Sequence, residues 1–513
     1  MIALADRVAA IALSEPRRIA LVQGAQRIDY GTFVDAARRF AGFLRAAGCR
    51  PGDRVALIVP NRIEAAIAWY GAWIAGAAVV PLNAQARARD FAPWLRHADV
   101  RVLVHEAAGR DAIAAAAELS EPPLRVVLDA AAGEGANGDG AVGWTQALES
   151  APLESEPVDP SALAAILYTS GTTGAPKGVM LSHANFAANV EAIVAYLALT
   201  GEDSIVSILP FYYSYGASVL HTHLAVGARL VIEPNLVFPH LIVETLARER
   251  VSGFSGVPST YALLLDRVPL ANYDLGALRY LTQAGGAMAP ALAARLRAAL
   301  PGTALYVMYG QTEATARLTY LPPDRLDDKP GSAGIAIPGV RIAIRDEAGQ
   351  PLPPGADGEV WAQGPGVMRG YWNDPEASAA VLQDGWLRTG DLGRLDADGF
   401  LFLAGRRSDM IKTGAHRVHP LDVEEAIAEL AEVAEVAVVG VDDATLGQAI
   451  KAVIVPAAGA APDADRVKAH CRARLAAYKI PKQVQFVAAL PKTASGKIRR
   501  ALLTEPAAAQ EAS

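Results

Sequence analysis

Short apolar segments such as Arg54–Val59 and Val100–Val104 alternate with long Ala-rich stretches of helical character, and this alternation leaves few folds open. Strands of that kind belong in parallel sheets covered by helices, so an α/β chain is expected. Ala65–Leu82 carries no charge over 18 residues, near the lower limit for a membrane-spanning helix. Its Ala/Gly content and Pro81 favour a buried helix through Trp73, a break at Gly76 and a strand over Ala77–Pro81 instead, with no transmembrane segment. From Gly331 to Leu403 the texture changes to short alternating strands broken by turns such as PLPPGADGE and RLDADGF, which predicts a small β-barrel or distorted sandwich. After Ser408 the βα alternation resumes. Asp129–Gly143 has no apolar period and reads as a surface loop. At 513 residues, about two to four structural units are expected.

The net charge of −7 comes with no dominant basic stripe, which argues against a nucleic-acid partner and for small molecules. Cys49 and Cys471 are the only cysteines. They are too few for a disulfide framework and badly spaced for a metal site, and neither is a nucleophile candidate; a reducing, cytoplasmic setting is the expectation. The N-terminal MIALADRVAAIALSEPRR places charges too early for a signal peptide and predicts an amphipathic helix.

The stretch YTSGTTGAPKG, Tyr168 to Gly178, combines five hydroxyl side chains, three glycines and Lys177. Glycine lets backbone N–H groups approach phosphate oxygens, the hydroxyls add rotatable donors, and the lysine supplies a point charge. A nucleoside-triphosphatase P-loop is excluded by spacing, because Lys177 follows Pro176 and precedes Gly178 rather than a Ser or Thr opening a helix. Alone, the loop is weak evidence, and a flexible surface turn is the competing reading. Four further blocks follow it in order: YGQTE at Tyr309–Glu313, RTGD at Arg388–Asp391, GRRSDMIKTGAHRVHP at Gly405–Pro420 and PKTASGKIRR at Pro491–Arg500.

In this order and spacing the five blocks resemble the adenylate-forming superfamily, which includes acyl- and aryl-CoA synthetases, firefly luciferase and nonribosomal adenylation domains. The resemblance spans about Val22 to Leu503. It implies a large N-terminal domain, residues 1–407, made of two βα-layered subdomains plus the barrel at about 331–403. A small α+β C-terminal lid, residues 408–513, would be hinged to it. It also implies ATP-dependent activation of a carboxylic acid to an acyl-adenylate, with Mg²⁺, followed by transfer to the thiol of CoA or of a carrier-protein phosphopantetheine.

Carried over residue by residue, the resemblance places Thr169, Ser170, Gly171, Thr172, Thr173, Gly174 and Lys177 on the β- and γ-phosphates. Tyr309, beside Gly310, takes one adenine face, and Gly285, Gly286 and Ala287 take the other. Thr312 donates to the α-phosphate, Glu313 is the metal ligand, Asp391 accepts the ribose hydroxyls, and Arg406 reaches the sugar or phosphate. Lys497 enters only for adenylation. Ser408 occupies the hinge, where relatives carry Asp or Lys. After lid rotation Lys412 would face the site, and Ala415 falls on the usual tunnel glycine, where a methyl group would narrow the path of the thiol unless the adjacent Gly414 shifts to compensate.

The block LPFYYSYGAS, Leu209–Ser218, lines the acyl pocket in relatives, with Tyr213 at a common histidine position. Tyr212, Tyr213, Tyr215 and Ser218 then give an aromatic wall with hydroxyls, suited to an aryl or medium, oxygenated acid; tyrosines packing between sheet and helix are the competing reading. No acidic residue occurs between Leu209 and Leu230, which disfavours an α-amino acid. His221 and His223 have no acidic or Cys partner nearby for a metal. Arg472, Arg474, Lys479 and Lys482 suit either the 3′-phosphate of CoA or a solvated face. A carrier-protein adenylase and an inactive nucleotide-binding homologue are the competing functions, and monomer and homodimer both stay open.

Overall fold

In the computed structural model, which describes residues 3–129, 141–154, 156–169, 177–233, 238–406, 409–413, 416–443, 446–493 and 498–504, the apolar strands gather into two large sheets. Among the described residues one sheet has eight strands. Leu163–Thr169, Ala78–Pro81, Arg54–Ile58, Val100–Glu106, Leu124–Leu128 and Ala141–Gly143 run parallel, while Lys177–Ser182 and Gly370–Tyr371 extend it antiparallel. The other has nine strands, with Ala304–Tyr309, Tyr280–Gln283, Gly253–Gly256, Ser204–Ser207, Arg229–Ile232 and Ile19–Gln23 parallel at its centre. The α/β expectation holds, with a large N-terminal part and a smaller C-terminal one.

The uncharged run forms helix Ile63–Ile74, buried at every position except Glu64, and then strand Ala78–Pro81 after Gly76 at φ +76°. Gly71 is required on that helix, because a Cβ there would lie 2.8 Å from the Ala37 carbonyl oxygen of the neighbouring helix Tyr30–Ala46. Trp73 donates through Nε1 to the Ala164 carbonyl at 2.9 Å and stacks on His221 of helix Ser214–Ala225 at 4.7 Å. Tyr70 Oη lies 3.2 Å from His221 Nδ1. These contacts join the helices of the two sheets in one apolar core. Burial holds the imidazoles of His221 and His223 down to about 3 and about 4, so both are neutral core groups. Among the described residues no cluster of metal-ligating side chains occurs, and no helix is long and apolar enough to cross a membrane.

The N-terminal amphipathic helix is Leu4–Ser14, burying Leu4, Ala5, Val8 and Ala12. One expectation needs correction: Ala141–Gly143 is not loop but an edge strand paired with Leu124–Leu128; residues 130–140 lie outside the described residues. Both cysteines are free and buried, and burial comes first among the causes that raise the Cys49 thiol to about 11 and push the Cys471 thiol upward.

Arg341–Arg345, Gly358–Gln363, Trp386–Leu395, Leu382–Gln383 and Leu401–Arg406 make an antiparallel sheet in which the long strand Trp386–Leu395 pairs with three others. No ladder among the described residues closes it into the expected barrel. The C-terminal sheet pairs Val433–Asp443 with Gly447–Pro456 and adds Ile411–Thr413, His416–Val418 and Gln483–Phe486. Helices Pro420–Ala428 and Ala464–Arg474 contribute to its core.

That C-terminal unit is tied together by Glu424, which is 8% exposed. Its carboxylate accepts from Arg500, with Nη2 at 3.0 Å, and from the Val438 N–H at 2.7 Å. Removing Glu424 takes away the main counter-ion of Arg500, leaving it only the longer contact to Asp409 at 3.6 Å. Glu424→Ala is therefore expected to cost about 3 kcal/mol in urea unfolding, with faster hydrogen exchange over residues 433–456 and unchanged exchange over the N-terminal sheets; a global loss of protection would contradict it.

Candidate active site

Open parallel sheets collect their loops at the carboxyl ends of the strands, where ligands bind, and the candidate residues lie there. Tyr309 ends strand Ala304–Tyr309, and Gly285, Gly286 and Ala287 follow the adjacent strand Tyr280–Gln283, the two being registered at Gln283 and Val307. Gly285 has φ +85°, and its two successors are exposed. Gln283 Nε2 donates to the Gly286 carbonyl at 2.8 Å, fixing the backbone of that loop.

Beyond Tyr309 the chain folds sharply back. A Cβ on Gly310 would fall 1.9 Å from the Ala316 carbonyl oxygen, so only glycine fits. Thr312–Ala314 form a single 3₁₀ turn, and buried Thr315 takes φ +65°, held by donating from Oγ1 to the Gly366 carbonyl at 2.6 Å. A positive φ is costly for a β-branched residue, and such outliers cluster at functional sites. Its effect here is to project Thr312 and Glu313 from a rigid turn.

Two groups of polar contacts meet around that turn. Tyr309 donates from its hydroxyl to Asp391 Oδ2 at 2.6 Å, while Arg406 Nε lies 3.2 Å from Asp391 Oδ1. Asp391 and Arg406 are register partners on neighbouring strands, which sets that ion pair by backbone geometry. Burial, and then the Asp391 charge, hold the Tyr309 phenol well above its ordinary value. Asp391, and more distantly Glu313, raise the Arg406 guanidinium against the opposing effect of burial.

The second group contains a residue that sequence reasoning missed. Tyr371 donates from its hydroxyl to Glu313 Oε1 at 3.0 Å, and Lys177 Nζ lies 5.5 Å from the centroid of its ring. Tyr371 pairs with Val179, one strand position from the end of the candidate phosphate loop. Its strand is only two residues long, too short to leave a period in the sequence. Burial, followed by the Glu313 charge, raises its phenol above the usual range.

Thr169 and Lys177 face each other across a hairpin ladder and bracket the phosphate loop. Ser170, Gly171, Thr172, Thr173 and Gly174 lie outside the described residues, as do Ser408, Ala415 and Lys497. Lys412 is exposed on strand Ile411–Thr413 of the C-terminal sheet; its N–H donates to Gln448 Oε1 at 2.8 Å. Three of the four basic residues considered for a CoA phosphate have carboxylate partners: Arg474 with Glu429, Lys479 with Asp422 and Lys482 with Asp443. This supports the solvated-face reading for them.

On the acyl side, Ser214 Oγ lies 3.3 Å from Thr312 Oγ1 at the start of helix Ser214–Ala225. The half-buried Tyr212 and Tyr213 rings are 4.5 Å apart. Tyr215 is buried and donates to the Thr282 carbonyl at 2.9 Å. Ser218 is buried, and its hydroxyl donates to the Tyr215 carbonyl at 2.7 Å within its own helix. Arg317 is a second residue the sequence did not single out; its guanidinium carbon sits 4.1 Å from the Tyr215 ring centroid. The available signal was its being the one charge in the run Ala314–Leu321.

With this geometry in view, comparison with known proteins is direct. The pattern of the AMP-binding enzyme family matches residues 8–372, and that of the AMP-binding enzyme C-terminal domain matches residues 422–497. A feruloyl-CoA synthase from Amycolatopsis sp is 34% identical, over 94% of this chain and 94% of its own length. A long-chain-fatty-acid–CoA ligase from Bacillus subtilis is 33% identical, over 96% of this chain and 92% of its own. The crystal structure of ATP-bound MatB from Rhodopseudomonas palustris superposes with a TM-score of 0.88 at 32% identity, covering 98% of each chain. On its sequence, its fold and the grouping of these residues, the chain belongs to the AMP-binding enzyme family.

Proposed function

We propose that this chain, an AMP-forming acyl- or aryl-CoA ligase, uses the residues around Glu313 and Asp391 to join a carboxylic acid to a thiol at the expense of ATP. The observation that carries this assignment of residues is the convergence of Lys177, Tyr309, Glu313, Asp391 and Arg406 from distant segments. A carboxylate carbon is a poor electrophile and its leaving group would be oxide. In the first step a carboxylate oxygen attacks the α-phosphorus, the bond to the bridging oxygen of pyrophosphate breaks, and an acyl-adenylate forms. In the second a thiolate attacks the acyl carbon and AMP leaves.

Holding two anions together requires oriented donors and positive charge. Lys177 and the hydroxyls of the 169–174 loop are assigned to the β- and γ-phosphates, and Thr312 to the α-phosphate. Tyr309 and the 285–287 backbone flank the adenine. Asp391 accepts from the ribose hydroxyls by exchanging its bonds to Tyr309 and Arg406. Lys497 stabilises the charge that develops as the carboxylate attacks. Glu313 suits Mg²⁺, because that ion is commonly held by one or two carboxylates with phosphate oxygens completing the set, and among the described residues no cluster for a fully protein-bound metal competes. Bound there, the ion would neutralise phosphate charge. Tyr371 orients the carboxylate. The aromatic pair Tyr212 and Tyr213 supports an aryl or medium-length acid, and Lys412 is assigned to the thiol-transfer pose with CoA as acceptor.

The decisive assay is acid-dependent pyrophosphate release from ATP and Mg²⁺, with and without CoA. Release with one class of acid, turning over only with CoA, is the expected result; a burst that CoA cannot relieve would transfer the assignment to a carrier-protein acceptor, and no release with any acid would defeat it. Lys497→Ala should lower adenylation about 100-fold or more, a barrier increase of about 3 kcal/mol, while thioester formation from a synthetic acyl-adenylate stays near wild type. Equal loss in both half-reactions would refute the role of Lys497.

For Tyr371→Phe, the expected change is an about tenfold rise in the Mg²⁺ concentration for half-maximal rate, with kcat at saturating Mg²⁺ within about twofold. A fall in kcat that Mg²⁺ does not restore would show that Tyr371 does more than orient Glu313.

A further inference from the structure

Arg317 is 3% exposed. Its guanidinium lies over the Tyr215 ring, its Nε donates to Met308 Sδ at 3.3 Å, and the Tyr196 phenol is close enough to feel its charge. All three partners are neutral, and among the described residues no carboxylate lies within ion-pair distance. Other deeply placed cations in this protein differ: Arg229 has Glu249, Arg62 has Glu64 and Asp129, and Arg500 has Glu424. A buried guanidinium remains charged, and burial without a counter-ion is expensive. A cation–π contact offsets part of that cost.

The position matters as much as the charge. Thr312 contacts Ser214, Ser214 precedes Tyr215, and Arg317 covers the Tyr215 ring, so the guanidinium lies one aromatic ring beyond the group assigned to the α-phosphate. Asn189 Nδ2 donates to the Arg317 carbonyl at 3.3 Å, and strand Thr319–Leu321 begins two residues later. The backbone that carries the charge is therefore fixed. Thr312 and Arg317 thus both border the start of helix Ser214–Ala225.

We infer that Arg317 is the specificity-determining residue of the acyl pocket, and that the preferred acid carries a second carboxylate at the end remote from the reacting one. This rests on the ligase reading above. The planar guanidinium offers paired donors that match a carboxylate, and the substrate supplies the missing counter-charge. Acids ending in a methyl group or an unsubstituted ring leave the charge unpaired and bind less well.

Matched pairs of equal skeleton test this: butanoate against succinate, and 4-methylbenzoate against terephthalate, by pyrophosphate release and by thermal shift in the wild type and in Arg317→Met. The expected result is at least a tenfold higher kcat/KM for a diacid than for its partner in the wild type. Arg317→Met should lose about ten- to a hundredfold on the diacid, chiefly in KM, so that the diacid-to-monoacid ratio of kcat/KM falls toward one. Preference for the monoacid in both pairs, or equal loss on both members in Arg317→Met, overturns the inference and marks Arg317 as a packing clamp. If Arg317→Met does not fold, the wild-type preference alone decides. Release with monoacids only would leave the ligase reading standing and this one defeated. With no release for any acid the ligase reading falls, and a diacid-dependent thermal shift then decides whether Arg317 still captures a dicarboxylate.

Discussion

Parallel strand pairing is the constraint on which the rest of this structure depends. A parallel neighbour cannot be reached by a tight turn, so each strand must be followed by a crossover, and here the crossovers are largely helical. All strands of such a sheet then point the same way, and their carboxyl-end loops share one edge. The turn after Tyr309 and the loop at Gly285 are neighbours for this reason, although 23 residues separate Gly286 from Tyr309. The antiparallel additions complete the arrangement. Strand Lys177–Ser182 returns beside Leu163–Thr169 and brings Lys177 back to the level of Thr169, and Gly370–Tyr371 joins its outer side.

Much of this was legible in the sequence, for identifiable reasons. The uncharged run at Ala65–Leu82 could only be buried, and it became the central helix and strand it implied. Strands Arg54–Ile58 and Val100–Glu106 start at the expected residues because an apolar run flanked by polar positions marks its own start. Tyr309, Glu313, Asp391 and Arg406 carried recognisable local blocks. What the sequence did not reveal depends on distant pairing. Tyr371 acquires its importance from a two-residue strand that exists only because Val179 is beside it, and Arg317 becomes unusual only once folding has buried it away from every described carboxylate. Ala141–Gly143 was missed because three residues leave no period to detect.

The electrostatic design separates two tasks. Glu313 and Asp391 are both acids close to a site that must accept anions, a combination that would repel its ligand if they were bare. Each is already engaged: Glu313 by the Tyr371 hydroxyl, Asp391 by Tyr309 and Arg406. Arg406 in turn is stabilised as a cation by both acids. Before any substrate arrives the region is therefore a balanced polar network, which a low local dielectric rewards only when every member is satisfied.

The bonds around Asp391 bear on release as well as binding. A nucleotide whose ribose takes the place of the Tyr309 and Arg406 contacts swaps hydrogen bonds for hydrogen bonds, so its net affinity reflects a difference and not a sum. On the proposed assignment, departure of AMP lets the same two side chains return to the carboxylate, and no naked charge is left to draw the product back. On that assignment the resting contacts compete with the spent nucleotide for the same carboxylate.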